Sequence, residues 1–289
     1  MLKKSGLYRI LKKNQIVYFM KIKLFDKDYR NARMLMKYAL KSKALIRTEQ
    51  NFISDYWKCD PAHYIRYELF NKRLTKEQLL DYIPPYYMYN YYNKRLYSKV
   101  DRSIYDNKFS LYKLFKSRGV PTPKVYAIVK NGIIKNENGE FVEPQGLFGN
   151  FQIGEKIFFK PVLGKGGTGI FVLRVVEGGV KYLDRIVSLE EFIECILPHK
   201  VEFVVQKGII QRADFSKINS SSVNTLRVIV QFEGETPKIR VAVLRIGRNG
   251  KDVDNSHQGG ISVKIDTQTG CLHDIAFAEH GGDQLLCKK

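Results

Sequence analysis

The sequence predicts an α+β chain in which about a hundred mainly helical residues precede a strand-rich, antiparallel remainder. Three stretches carry that expectation. Residues 26–45, DKDYRNARMLMKYALKSKAL, place apolar residues at helical spacing among good helix formers, with aspartate at the start. Residues 157–172, IFFKPVLGKGGTGIFV, read as a β-branched and aromatic strand, a glycine-rich loop and a second strand. Residues 224–232 and 238–246 alternate as strands across the turn EGETP.

In chain order, residues 26–45 form one amphipathic helix, and Asp60 and Pro61 begin another element. Leu74 and Thr75 lead a short capped helix that Pro84 and Pro85 end. The run YYMYNYYNKRLY, residues 86–97, interleaves tyrosines with Lys94 and Arg95. Two readings stand for it: stacking on sugars or bases, and packing against the following domain. Asp106 and Asn107 cap a helix from Lys108 to about Ser117, which ends at Gly119. Lys108 thus falls in a first helical turn, where a cation opposes the helix dipole unless an anion is near. Pro121 and Pro123 lead into a strand at Val125–Val129, and Asn131-Gly132 and Asn138-Gly139 mark turns. Residues 188–197, SLEEFIECIL, have the capping serine and early glutamates of a helix start. A short strand over residues 202–209 breaks at Gly208, and GGISVKID and CLHDIAF bracket the turn TQTG.

Glycines at 164, 166, 167 and 169 let backbone N–H groups approach an anion, and Lys160 on the preceding strand adds a point charge. Gly164, Gly166 and Gly169 satisfy G-x-G-x-x-G, yet residues 170–183 then read as strand, turn, strand, whereas a dinucleotide fingerprint opens a helix. The loop lacks the G-K-[ST] ending of a Walker motif, and the chain after it has neither the H-R-D nor the D-F-G of a protein kinase. A phosphate-holding loop and a plain glycine-rich hairpin both remain open on these residues alone.

With 289 residues, 44% of them hydrophobic, the chain has material for one large or two ordinary domains. A formal charge of +20 points to anionic partners: nucleotide, acidic glycan, nucleic acid or a membrane surface. Much of this charge precedes residue 120. Cys59, Cys195, Cys271 and Cys287 are widely spaced, which indicates neither a zinc site nor a disulfide framework. No run approaches the ~20 apolar residues of a membrane span. The expected location is cytoplasmic, with peripheral contact at the inner membrane face.

The order of D-N-K before a helix ending in G-V-P-T-P, a strand lysine with a glycine loop, a helix, a short strand and an antiparallel sheet resembles the ATP-grasp superfamily. SVNTLRV at 222–228, VAVLRIG at 241–247 and VDNSHQGGIS at 253–262 resemble its sugar-transfer-associated branch, related to alpha-L-glutamate ligases. The resemblance covers residues 100–289 and implies two α+β subdomains, 100–205 and 206–289, that clasp ATP behind the helical residues 1–99. It further implies phosphate contacts from Lys108 and Lys160, and a lid of Gly164, Gly166, Gly167 and Thr168 that closes over the phosphates. Gln206, Lys207 and Ile209 match the hinge that reads adenine, although an acidic residue is usual where Gln206 or Lys207 stands.

Arg227 and Arg245 match arginines that face the phosphates and an acyl-phosphate intermediate, with Asn224, Asp254 and Asn255 near substrate or ATP. The implied reaction is ATP-dependent activation of a carboxylate followed by attack of an amine or similar nucleophile, in polysaccharide or cell-envelope synthesis. Magnesium is expected with ATP, but the E-x-N motif that supplies its ligands is missing after Asn255. Only Asp266, Asp274, Glu279 and Asp283 are left there, so the metal ligands are not assigned. The sequence favours a chain cut short over a degenerate member. The alternative to the ligase is an inactive nucleotide- or glycan-binding protein.

Overall fold

The computed structural model describes residues 15–96, 102–164, 166–248, 250, 252, 254, 259–278 and 284–286. Asn255, Glu279, Asp283 and Cys287 lie outside them. The chain divides into two compact units, Met1–Val100 and Asp101–Lys289.

The first unit is helical, with α1 (Gln15–Phe25), α2 (Lys27–Leu35), α3 (Lys43–Trp57), α4 (Ala62–Arg66) and α5 (Lys76–Leu80). The single helix expected over residues 26–45 is two. Asp26 caps α2 by accepting from the Tyr29 N–H at 2.8 Å, and Met36–Tyr38 tighten into a 3₁₀ turn. Ala39 then turns extended, and the Ser42 hydroxyl accepts from the Leu45 N–H at 3.2 Å to start α3. A serine that caps a new helix competes with continuation of the old one, and periodicity alone does not register that competition.

One core joins Ile46, Ile53, Tyr64, Leu69, Phe70 and Leu79, and another joins Phe19, Ile22, Tyr29, Cys59, Ala62 and Tyr86. The tyrosine run therefore packs, in part, inside its own unit. Tyr86 is buried and the Tyr87 hydroxyl donates to the Trp57 carbonyl at 2.6 Å, while Tyr89, Tyr91 and Tyr92 are exposed.

His63 is buried, and among the described residues neither ring nitrogen has a hydrogen-bond partner. Burial pushes its pKa down to about 4 from 6.5, with Asp60 pulling the other way. Between those values the unfolded chain binds the extra proton, so stability falls as pH drops through this window. We expect a loss of about 3 kcal/mol from pH 6.5 to 4 in this unit, removed by His63→Phe and read by denaturant titration at each pH.

The second unit carries two antiparallel sheets. The first contains β1 (Val125–Lys130), β2 (Ile133–Lys135), β3 (Lys156–Pro161), β4 (Phe171–Val176), β5 (Gly179–Tyr182), β6 (Arg185–Val187) and β7 (Phe203–Lys207), in the order β2-β1-β7-β3-β4-β5-β6. One face buries Ile157, Phe159, Leu173, Val175, Phe203 and Val205 against Leu147, Leu189, Phe192 and Ile193. The other receives the helix α6 (Lys108–Ser117), whose Tyr112 packs on Val125, Val162 and Val204.

The second sheet runs β12-β11-β10-β9-β8, with β8 (Thr225–Glu233), β9 (Thr236–Ile246), β10 (Ile261–Ile265), β11 (Leu272–Ala278) and β12 (Gln284–Leu286). Its buried residues are Ala242, Leu244, Val263 and Ala276. The chain crosses between the sheets from Gly208, so Gln206 and Lys207 end a strand of the first sheet. Gly208 is required there: a Cβ would sit 2.6 Å from the Lys156 carbonyl, to which the Gly208 N–H donates at 2.7 Å.

Candidate functional site

The site is built on β3. Strand alternation sends Ile157 and Phe159 into the core and leaves Lys156, Phe158 and Lys160 half-buried on the opposite face. Lys160 Nζ donates to Gln206 Oε1 at 2.8 Å from the neighbouring β7 and lies 5.0 Å from the centre of the Phe158 ring. The Gln206 amide in turn donates to the Pro123 carbonyl at 3.3 Å.

Lys108 reaches the same place from the start of α6. Asn107 caps the helix, its side-chain oxygen accepting from the N–H groups of Phe109 and Ser110 at 3.0 and 2.9 Å. The Lys108 N–H donates to the Val162 carbonyl at 3.0 Å, which docks the helix start on the end of β3. The Lys108 ammonium donates to the carbonyls of Pro161 at 2.7 Å and Gly164 at 3.0 Å, the latter at the root of the glycine loop.

Two ammonium groups thus share a half-buried corner, and among the described residues neither has a carboxylate within ion-pairing distance. Burial lowers the pKa of Lys108. Burial, and then repulsion from Lys108, lower that of Lys160. Carbonyl and amide dipoles compensate only part of this charge. A phosphate chain fits both the charge and the donors.

The loop between β3 and β4 turns as a glycine loop must: Gly166, Gly167 and Gly169 have φ of +70°, +77° and +72°, where other side chains are strained. Thr168 at its tip is exposed. Beside the lysine corner, a cleft of about 520 Å³ is lined by Glu155, Lys156, Phe158, Arg174, Lys207 and the crossing segment Gly208–Gln211. Lys207 ion-pairs with Glu155 at 3.3 Å, so its charge is directed to Glu155. Glu155 also accepts from the Tyr126 hydroxyl at 2.7 Å. Ile209 lines the cleft and is exposed. Lys156 spans to the second sheet's loops, pairing with Asp252 and donating to the Ser221 carbonyl at 3.3 Å.

On the second sheet, the register pairs Thr225 with Arg245 and Arg227 with Val243, so both arginines stand on one face. Their surroundings differ. Arg245 is held by Asp254, with Nη2 donating to Oδ1 at 2.7 Å and Nε to Oδ2 at 3.3 Å, and the Thr225 hydroxyl also donates to Asp254. Arg227 is exposed and has no carboxylate partner among the described residues. Asn224 is buried, and its amide donates to the carbonyls of Phe215 at 2.8 Å and Asn219 at 3.3 Å, clamping the loop before β8. Its Oδ1 has no partner among the described residues.

A family model described as sugar-transfer associated ATP-grasp matches residues 87–287. The chain belongs to that family. No curated protein and no solved structure matches it at a significant level. By family it is therefore an ATP-binding ATP-grasp protein, and the lysine corner, the glycine loop and the cleft all lie within the matched residues.

Magnesium, usual in this family, meets a poorer fit. Among the described residues no three His, Cys, Asp or Glu side chains come together. Asp266 is committed to its own turn, accepting from the N–H groups of Gln268 and Thr269 at 2.9 and 2.8 Å, and Asp254 is committed to Arg245. Lys156 and Glu155 lie outside the motifs of the sequence, and Phe158 stands in the strand before the glycine loop with no role assigned to it there. The period-two alternation with Lys160 places Lys156 and Phe158 on its face, whereas nothing local marks Glu155.

Proposed function

We propose that this ATP-grasp protein is an ATP-dependent ligase that activates a carboxylate for attack by an amine or similar nucleophile. The pair of half-buried, carboxylate-free ammoniums at Lys108 and Lys160 carries the reading, because a triphosphate supplies the charge they lack. In this scheme the two lysines hold ATP phosphates, Gly164 to Gly169 close over them to exclude water, and Gln206 to Ile209 meet the adenine edge. A carboxylate oxygen attacks the γ-phosphorus, the bond to the β-phosphate oxygen breaks, and ADP leaves. The nucleophile then displaces phosphate from the acyl carbon. In this reading Arg227, with no carboxylate partner among the described residues, neutralises the migrating charge, and the sugar-transfer-associated family description supports an acceptor among glycan or cell-envelope precursors.

The absence of a carboxylate cluster among the described residues favours a second reading, nucleotide binding without turnover. Thermal unfolding with ATP, with and without magnesium, combined with ADP release across a panel of carboxylates and amines, separates them. Stabilisation with ADP formed in the presence of one acceptor pair supports the ligase. Stabilisation with no ADP from any pair supports binding alone, and no stabilisation by any nucleotide overturns both.

A further inference from the structure

Charge is unevenly divided along the chain. Residues 1–100 hold 22 Lys and Arg against 8 Asp and Glu, a formal +14 of the total +20. In the described part of the first unit, the acids of α2 and its cap are engaged within the unit: Asp26 and Asp28 both pair with Arg66 of α4, at 3.3 and 3.1 Å. Lys27, Arg30, Arg33 and Lys37 on α2 and the turn after it are exposed, and no carboxylate lies within ion-pairing distance of them among the described residues.

The preceding helix shows a complementary anomaly. α1 buries Phe19 and Ile22 but turns Ile16, Met20 and Leu24, at successive i, i+4 positions, to solvent at 72%, 55% and 58% exposure. Phe25 at its end is 75% exposed, and Met34 and Tyr38 on the next elements are 65% and 68% exposed. A helix of a globular unit ordinarily hides such a stripe. Apolar residues presented beside unpaired cations, on consecutive helices, are the chemistry of a segment that lies in the interface of an anionic bilayer.

We propose that α1 and α2 form a docking surface for an anionic lipid bilayer, with Ile16, Met20, Leu24 and Phe25 entering the headgroup boundary and Lys27, Arg30, Arg33 and Lys37 meeting lipid phosphates. No helix of the described residues is long and apolar enough to cross a membrane, so the contact is peripheral. Charge complementarity selects the bilayer over a second copy of the chain, since two such faces would repel one another.

The test is co-sedimentation of the full chain with vesicles of phosphatidylcholine alone or with about one-third phosphatidylglycerol. Retention is expected only on the anionic vesicles, weakening as salt rises. Leu24→Glu, and separately Arg30→Glu with Arg33→Glu, should each reduce partitioning about tenfold or more while leaving nucleotide-dependent stabilisation unchanged. Denaturant unfolding with a transition like that of the parent chain reports that the first unit of each variant is folded. Equal retention on both vesicle types, no retention, or concentration-dependent self-association that Leu24→Glu abolishes would each overturn the proposal.

Discussion

Replacing Lys160 by methionine is expected to remove nucleotide-dependent stabilisation while leaving the nucleotide-free protein at least as stable as before. The methionine keeps the length of the side chain and its contact with Phe158 but deletes a cation that burial and Lys108 disfavour. Loss of a charge-assisted contact to phosphate corresponds to about a hundredfold weaker binding. Isothermal titration with ATP measures the first effect and thermal unfolding without ligand the second. A variant that loses stability and binding together would show Lys160 to be a structural residue.

The pH dependence has a definite sign. Both lysines have folded-state pKa values below the ordinary 10.5, so between the lowered values and 10.5 the unfolded chain binds more protons and the nucleotide-free protein gains stability as pH rises. The increment added by ATP needs the ammonium form and should shrink across the same window. Lys160→Met flattens both trends.

The second large effect lies on the other sheet. Arg245→Ala leaves Asp254, whose side chain is 9% exposed, without its guanidinium. Removing one partner of a buried ion pair costs about 3–5 kcal/mol, because the remaining charge stays desolvated. Denaturant unfolding should show a loss of that order. Replacing both Arg245 and Asp254 by methionine should cost less than Arg245→Ala alone, since no lone charge remains. Arg227→Ala, at an exposed position on the same face, should change stability by less than about 0.5 kcal/mol. A fall in turnover from Arg227→Ala alone, under the ligase reading, would assign it to the chemistry; a loss of stability like that of Arg245→Ala would assign it to the framework.

Much of the second unit was legible in the sequence because its signals are local. Period-two alternation, the Asn107 cap, the prolines after α6 and the positive-φ glycines each act within a few residues, and the loop between β3 and β4 lies between strands as its flanks require. The same locality explains the misread helix over residues 26–45. Apolar spacing runs on through Ala39 to Ser42, but a side-chain cap at Ser42 restarts the chain in a new direction.

The residue types at the site, lysines beside a glycine loop and arginines on neighbouring strands, were determined by the sequence itself. Which of those charges is compensated was decided only by tertiary structure. Arg245 and Arg227 look alike in their motifs, yet Asp254 reaches one and not the other. Lys207 turns to Glu155, whereas Lys160, three residues from a register partner of Lys207, meets an amide, the Phe158 ring and the field of a second lysine, with no carboxylate partner among the described residues. Long-range pairing between strands sets these distances, and Coulomb energies and desolvation depend on distance and burial rather than on order along the chain.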